Sequence, residues 1–179
     1  GKGFDVDRLH HINVFLVKHG EFYHPARIEI QLDKQWLNFV LNVAVSDAGR
    51  RCLTEEIHCL TLLGQHPAAE YIPSVYGHGE VVSAAGPDLL MWLGEWFEDF
   101  HEFHWTDSAS GDNLMLSIWD PLTGKRYLNA VQTGLVYRQA AAILTHFFDL
   151  ATFEQIHPWH HAAGDLSFGS NVIASMFVW

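Results

Sequence analysis

The chain has 179 residues, 49% of them hydrophobic and 17% charged, with 10 Lys and Arg set against 21 Asp and Glu for a formal net charge of −11. That length and apolarity exclude a disordered chain and allow one solid core or two small lobes. The few cations are scattered, which argues against a nucleic-acid partner, because phosphate contacts come from clustered Lys and Arg.

The N-terminal stretch from Gly1 to Arg8 carries alternating charges and no apolar core, so no secretory signal is expected and a cytoplasmic location is the default. Ile12 to Val17, Arg27 to Leu32 and Trp36 to Val45 are rich in β-formers and are separated by Gly20, Pro25 and Asp33-Lys34. They predict three antiparallel strands. Asp47-Ala48-Gly49 breaks the pattern, and Ile57, Leu60 and Leu63 then recur at helical spacing, predicting a helix over Thr54 to Leu63. Ile72 to Val81 reads as a turn into a strand, and Asp88 to Trp96 as its partner. No apolar run approaches the roughly 18 to 20 residues that a bilayer span needs, so no membrane partner is expected.

After Trp96 the composition shifts, which sets a domain boundary between 1–95 and 96–179. Phe97 to Trp105 is dense in aromatics and His, Asp107 to Asn113 is a polar loop, and Leu114 to Asp120 is a short strand closed by the turn Asp120 to Lys125. Val131 to Ile156 carries Leu135, Val136, Ala140, Ile143, Leu144, Phe147 and Phe148 at helical spacing and predicts one long helix.

Cys52 and Cys59 lie seven apart, which on a helix separates them by about 10 Å. That exceeds disulfide reach, so both read as small core residues in a reducing compartment. The 13 histidines cluster at His10-His11, at His101 and His104, and from His157 to His161. A helical pair three apart can share one cation, so a site built on His101, His104, His160 and His161 is a metal-binding reading of this chain. No HExxH signature accompanies them. Protonation of the histidines between about pH 7 and 5.5 removes most of the net negative charge, so solubility and partner affinity should change over that interval.

The sharpest local feature is Pro158-Trp159-His160-His161-Ala162-Ala163-Gly164-Asp165, which sets a glycine-preceded aspartate after the long amphipathic segment. A carboxylate held on such a loop can orient a hydroxyl for phosphoryl transfer; its ordinary alternative is a turn cap or a partner for a histidine. His160 and His161 are proton-transfer candidates near neutral pH, and two neighbours on an extended segment face opposite ways, so one at most would serve. Trp92, Trp96, Trp105 and Trp119 either stack a flat ligand or anchor cores.

Three strands, a helix carrying Glu56, two more strands, a hinge-like aromatic segment, a long helix and Gly164-Asp165-Leu166 together resemble the protein-kinase-like fold, in the style of small-molecule kinases of the aminoglycoside-phosphotransferase type. The matching pieces are Phe39 to Ala44 as third strand, Glu56 to Leu63 as the helix presenting a glutamate, Ile72 to Gly77 entering the next strand, and the Gly-Asp loop with Asn171 beyond it. The resemblance implies an α+β, two-lobed architecture: an N-terminal antiparallel sheet with one helix, then a mainly helical C-terminal lobe, truncated here because the chain ends at Trp179 before any Asp-Phe-Gly-type metal site. It implies ATP and Mg²⁺ as cofactors and a small-molecule hydroxyl as substrate. Asp165 and His161 would be catalytic, Glu56, Asn42 and Trp96 would serve the nucleotide side, and Asn171 would help hold the metal.

Several positions depart from that pattern. Asn42 stands where the family has a lysine paired with the helix glutamate, and an amide cannot supply that charge. Arg50 and Arg51 are the substitutes within reach in the sequence. Ala163 occupies the place of the loop histidine, Ser170 that of the metal-binding asparagine with Asn171 one position later, and Lys18 to Pro25 is no glycine-rich phosphate loop. Two further readings therefore stand beside the phosphotransferase: a catalytically inactive kinase-like module that binds a ligand or a protein partner, and the His-rich metal-binding protein.

Overall fold

Apolar residues at every second position carry the N-terminal part of the chain into a meander of β1 (Leu9–Leu16), β2 (His24–Leu32) and β3 (Gln35–Ala44). These coordinates are a computed structural model that describes residues 8–17, 19–82, 86–98, 100–108, 110–120, 123–156, 166–168 and 173–175. The β2–β3 hairpin turns on Asp33-Lys34, where Asp33 takes the left-handed conformation (φ 52°) that a tight two-residue turn demands. Arg8 pairs with the Asp33 carboxylate and ties the start of β1 to that turn.

Helix α1 (Asp47–Leu63) follows β3. It begins well before the Thr54 expected from apolar spacing, because Ser46 caps it: the Gly49 N–H donates to Ser46 Oγ at 3.1 Å. Gly49 is required where it is, since a Cβ there would meet the Phe22 carbonyl oxygen at 1.9 Å. β4 (Val75–Val81) and β5 (Leu89–Glu95) complete an antiparallel sheet of order β1-β2-β3-β5-β4. One face of this sheet carries Ala26, Ile28 and Phe39, packed with Ile30, Leu37, Leu41 and Leu93. Tyr76 of β4 meets Phe39 edge-on at 5.6 Å between ring centroids. By strand alternation Asn42 and its cross-strand neighbour Trp92 lie on the opposite face. The buried stripe of α1, Leu53, Glu56, Ile57 and Leu60, brings Glu56 to Trp92 on that face. The edge strand β1 exposes Ile12, Val14, Phe15 and Leu16.

The described chain divides into two compact units, one within Gly1–His66 and Pro73–Trp96, the other within Pro67–Ile72 and Phe97–Val178. The second unit contains β6 (His101–Asp107), β7 (Leu114–Asp120), β8 (Gly124–Tyr127), helix α2 (Ala130–His146), β9 (Leu166–Phe168) and β10 (Ile173–Ser175), with sheet order β10-β9-β6-β7-β8. This corrects the expectation of a mainly helical C-terminal lobe: five strands and one α-helix are described there. The aromatic segment read as a hinge runs from His101 into strand: β6 pairs along β7 from Phe103 to Asp107, Phe103 is buried, and Leu116 and Ile118 of β7 pack at 1% exposure.

α2 starts on a capping box, in which Asn129 accepts from the Gln132 N–H (2.9 Å) and Gln132 accepts from the Asn129 N–H (3.0 Å). It buries Val136, Ala140 and Ile143 and stops at His146 rather than running on to Ile156. The Asp149 carboxylate accepts from the Ala151 and Thr152 N–H groups, and Phe153 takes φ 60°, so the chain turns where apolar spacing alone continued the helix. Both cysteines lie on α1 with free thiols; Cys52 is half-buried and Cys59 exposed, so Cys59 is not the core residue expected.

Two measurements test this packing. A Cβ on Gly94 would lie 2.0 Å from the Trp92 ring and 2.9 Å from the Ser74 carbonyl, so Gly94→Ala should lower urea stability by about 1–3 kcal/mol through displacement of the indole. Asn129→Ala should cost about 1 kcal/mol by removing the α2 cap, while Asn129→Asp should retain most of it.

Candidate functional site

The first unit holds a polar cluster in an otherwise apolar place. Asn42 on β3, Trp92 on β5 and Glu56 on α1 are 4%, 2% and 5% exposed. Among the described residues, Asn42 Oδ1, both Glu56 carboxylate oxygens and the Trp92 indole N–H have no partner at hydrogen-bond geometry. Buried polar groups of a native fold are nearly always paired, so four such atoms on three neighbouring elements mark this face.

Burial pushes the Glu56 carboxyl up to about 8. The Tyr23 hydroxyl and the Trp92 indole N–H lie near enough to favour the ionised form, which tempers the effect without reversing it. With no formed bond between Glu56 and Trp92, that influence is proximity between dipoles and the carboxylate. Among the described residues no cation stands against Glu56: Arg50 pairs instead with Glu80 of β4 at 3.0 Å, and Arg51 is exposed. The surface pocket lined by Asp47, Arg50, Arg51, Thr54 and Glu55 includes neither Asn42 nor Glu56.

A second cluster lies farther along the same face. Arg27 on β2 is directly opposite Val40, in the row beside the Pro25–Asn42 pair, and Phe15 of β1 is its partner on the other side. The guanidinium stands 4.9 Å from the centroid of the Phe15 ring and 5.9 Å from that of Trp96, and it pairs with Glu29 at 2.8 Å. Asn13 Nδ2 donates to the same Glu29 carboxylate at 3.3 Å. The structure thus brings Asn42, Glu56 and Trp96 into one unit, and it adds Arg27 and Phe15, which sequence reasoning missed. The signal for them is the register: Phe15 and Arg27 are cross-strand neighbours, which only the β1–β2 pairing reveals.

Asp165, His161 and Asn171 lie outside the described residues, as does His160. The strand after Asp165, β9, pairs with β6 through His101↔Phe168 and Glu102↔Ser167. β9 and β10 form an antiparallel pair whose connection contains Asn171. His101 and His104 occur on a strand, not a helix, so they point to opposite faces of β6 and do not share a cation. His101 lies 3.9 Å from Asp120. Among the described residues no group of three or more His, Cys, Asp or Glu is placed to hold a metal ion, and no helix is long and apolar enough to cross a membrane. Trp92 is a buried anchor, Trp105 donates to the Tyr137 hydroxyl at 2.7 Å, and Trp119 is exposed. No family model, curated protein or solved structure matches the chain.

Glu56 holds its proton more tightly folded than unfolded. The stability it contributes is therefore complete below the ordinary carboxyl value of 4.5 and is lost as the pH rises toward about 8. Glu56→Gln removes this loss: urea denaturation at pH 5 should give nearly equal stabilities for the two proteins, and at pH 7.5 the variant should be more stable by about 1–3 kcal/mol. A variant less stable at pH 7.5 would mean that the carboxylate is ionised and paired.

Proposed function

We propose that the chain is an ATP-dependent phosphotransferase acting on a small-molecule hydroxyl, built on a protein-kinase-like two-lobed plan. The observation that carries this reading is the first unit: three meandering strands, a helix that turns a glutamate onto the sheet face bearing Asn42, and two more strands in the order β1-β2-β3-β5-β4. That element order is the one expected from the resemblance, and Glu56 and Asn42, two of the three residues assigned to the nucleotide side, come onto the same face. In this reading Asp165 orients the substrate hydroxyl for in-line attack, with His161 beside it for proton transfer. Asn171 helps to hold Mg²⁺, which offsets charge on the transferring phosphoryl group. Glu56, Asn42 and Trp96 organise the nucleotide.

One observation favours a second reading, a catalytically inactive kinase-like module. Glu56 is buried with no cation beside it among the described residues and keeps its proton near neutral pH, whereas a glutamate that organises a phosphate-binding lysine must be ionised and paired. Such a module binds a ligand or a protein partner and transfers nothing.

Isothermal titration with ATP, with and without Mg²⁺, separates the two when joined to a phosphate-release assay. The phosphotransferase should bind ATP at micromolar concentration in a Mg²⁺-dependent way, and Asp165→Asn should abolish turnover over a panel of hydroxylated acceptors by at least about a hundredfold. Binding without turnover in the wild type would establish the inactive module.

A further inference from the structure

The sheet edges among the described residues are β1, β4, β8 and β10, and they are not equally protected. β4 carries Gly77 and Gly79, a register irregularity between Val75 and Gly77, and Glu80 committed to Arg50. β8 has four residues, two of them Lys125 and Arg126, and β10 has three. Short length, charge and bulges keep an edge from pairing with another chain. β1 lacks all of these over its central stretch: its register with β2 is unbroken from Ile12 to Leu16, and no Lys, Arg, Asp, Glu or Pro occurs between Leu9 and Val17. Two properties coincide there. The Val17 N–H donates to the Pro25 carbonyl at 2.9 Å, so by antiparallel alternation Phe15, Asn13 and His11 turn their backbone groups inward to β2, while Leu16, Val14 and Ile12 turn theirs off the sheet. The same three residues lie on the apolar face, across from Ala26, Ile28 and Ile30 of the hydrophobic cluster, yet are 53%, 63% and 50% exposed. Their pattern is symmetric about Val14. A second β1 laid antiparallel with Val14 against Val14 sets Ile12 against Leu16, and each outward N–H and C=O meets its counterpart. The edge also escapes much of the repulsion between two chains of net charge −11, since Glu29, the carboxylate on the adjoining strand, is paired with Arg27. Such a join covers on the order of 1,000 Å² counting both copies, the lower limit of a specific interface, which places it in the weak, reversible class.

We propose that β1 is a dimerisation edge: two copies of the chain pair their β1 strands antiparallel about a two-fold axis at Val14 and join their first sheets into one continuous sheet. The contact is isologous, so it closes on itself after two copies. It stands apart from the phosphotransferase reading, which places no residue of β1 in its machinery.

The test is sedimentation velocity of the full chain across the micromolar range, for wild type, Val14→Pro, Val14→Lys and Val81→Lys. Wild type should pass reversibly from monomer to dimer as concentration rises. Val14→Pro removes the outward N–H and Val14→Lys sets like charges opposite each other on the axis, so each should raise the dimer Kd by about tenfold or more. Val81→Lys, on the β4 edge, should leave it unchanged. Register is read by cross-linking with diamide in a Cys52→Ser, Cys59→Ser background. Residues directly opposite in a hydrogen-bonded pair lie about 5.5 Å apart between Cα atoms, within disulfide reach. Val14→Cys should therefore link to itself, Ile12→Cys alone should not, and Ile12→Cys mixed with Leu16→Cys should. These cysteines replace exposed side chains, so the register can be read even if Val14→Pro fails to fold, and thermal melts show which variants keep the sheet. A wild type that stays monomeric throughout overturns the proposal and leaves the edge to a strand of another protein. A dimer indifferent to Val14→Lys, growth beyond the dimer, or Ile12→Cys linking to itself as readily as Val14→Cys overturns it as well.

Discussion

A carboxyl buried with no cation beside it among the described residues is the constraint around which the first unit is organised. Glu56 is set into the α1 stripe between Leu53 and Leu60, with the Trp92 indole of β5 and the hydroxyl of Tyr23, the residue before β2, close enough to favour its ionised form. A charge in that place would cost several kcal/mol, so the group keeps its proton through much of the neutral range. An ordinary core would place leucine at this position. Retaining a carboxyl there lowers stability at alkaline pH, and proteins keep such groups chiefly at sites of function.

The neighbouring side chains are fitted to the same place. Gly94 leaves room for the Trp92 ring, which occupies the place a side chain there would take. Gly49 lets α1 approach the Phe22 carbonyl, which sets the height of the helix over the sheet. Asn42 lies opposite Trp92 and contributes an amide to the same face. Farther along, the row of Phe15, Arg27 and Trp96 supplies flat surfaces and a neutralised charge. A single sheet face therefore grades from protonatable and polar near α1 to aromatic at the end of β5.

The second unit obeys different local rules. Its β6–β7–β8 meander buries Phe103, Leu116 and Ile118, and α2 contributes Val136, Ala140 and Ile143 as its buried residues. The Trp105–Tyr137 hydrogen bond ties β6 to α2. The strand that follows Asp165 joins this sheet through β6, so the Gly-Asp segment leads into paired backbone.

What the sequence determined by itself is the order of elements in the first unit and the kind of residue each presents. Period-two and period-3.6 patterns are properties of the local chain, and Ile12 to Val17, Arg27 to Leu32, Trp36 to Val45, Ile57 to Leu63 and Asp88 to Trp96 carry them openly. The same logic misread residues 97–105 and the C-terminal end of α2: aromatic and His residues are ambiguous between hinge and strand, and the turn at Asp149 depends on side-chain to backbone bonds that no periodicity announces. Only the tertiary structure decided which side chains meet. Glu56 is separated from Trp92 by the whole of β4, and Arg27 from Trp96 by β3, α1, β4 and β5; their encounters follow from sheet register and from the face on which α1 packs, choices made between strands distant in the chain. For the same reason, Arg50, a substitute cation by sequence proximity, is committed to Glu80, while Arg27, unremarked in the sequence, becomes the centre of an aromatic cluster.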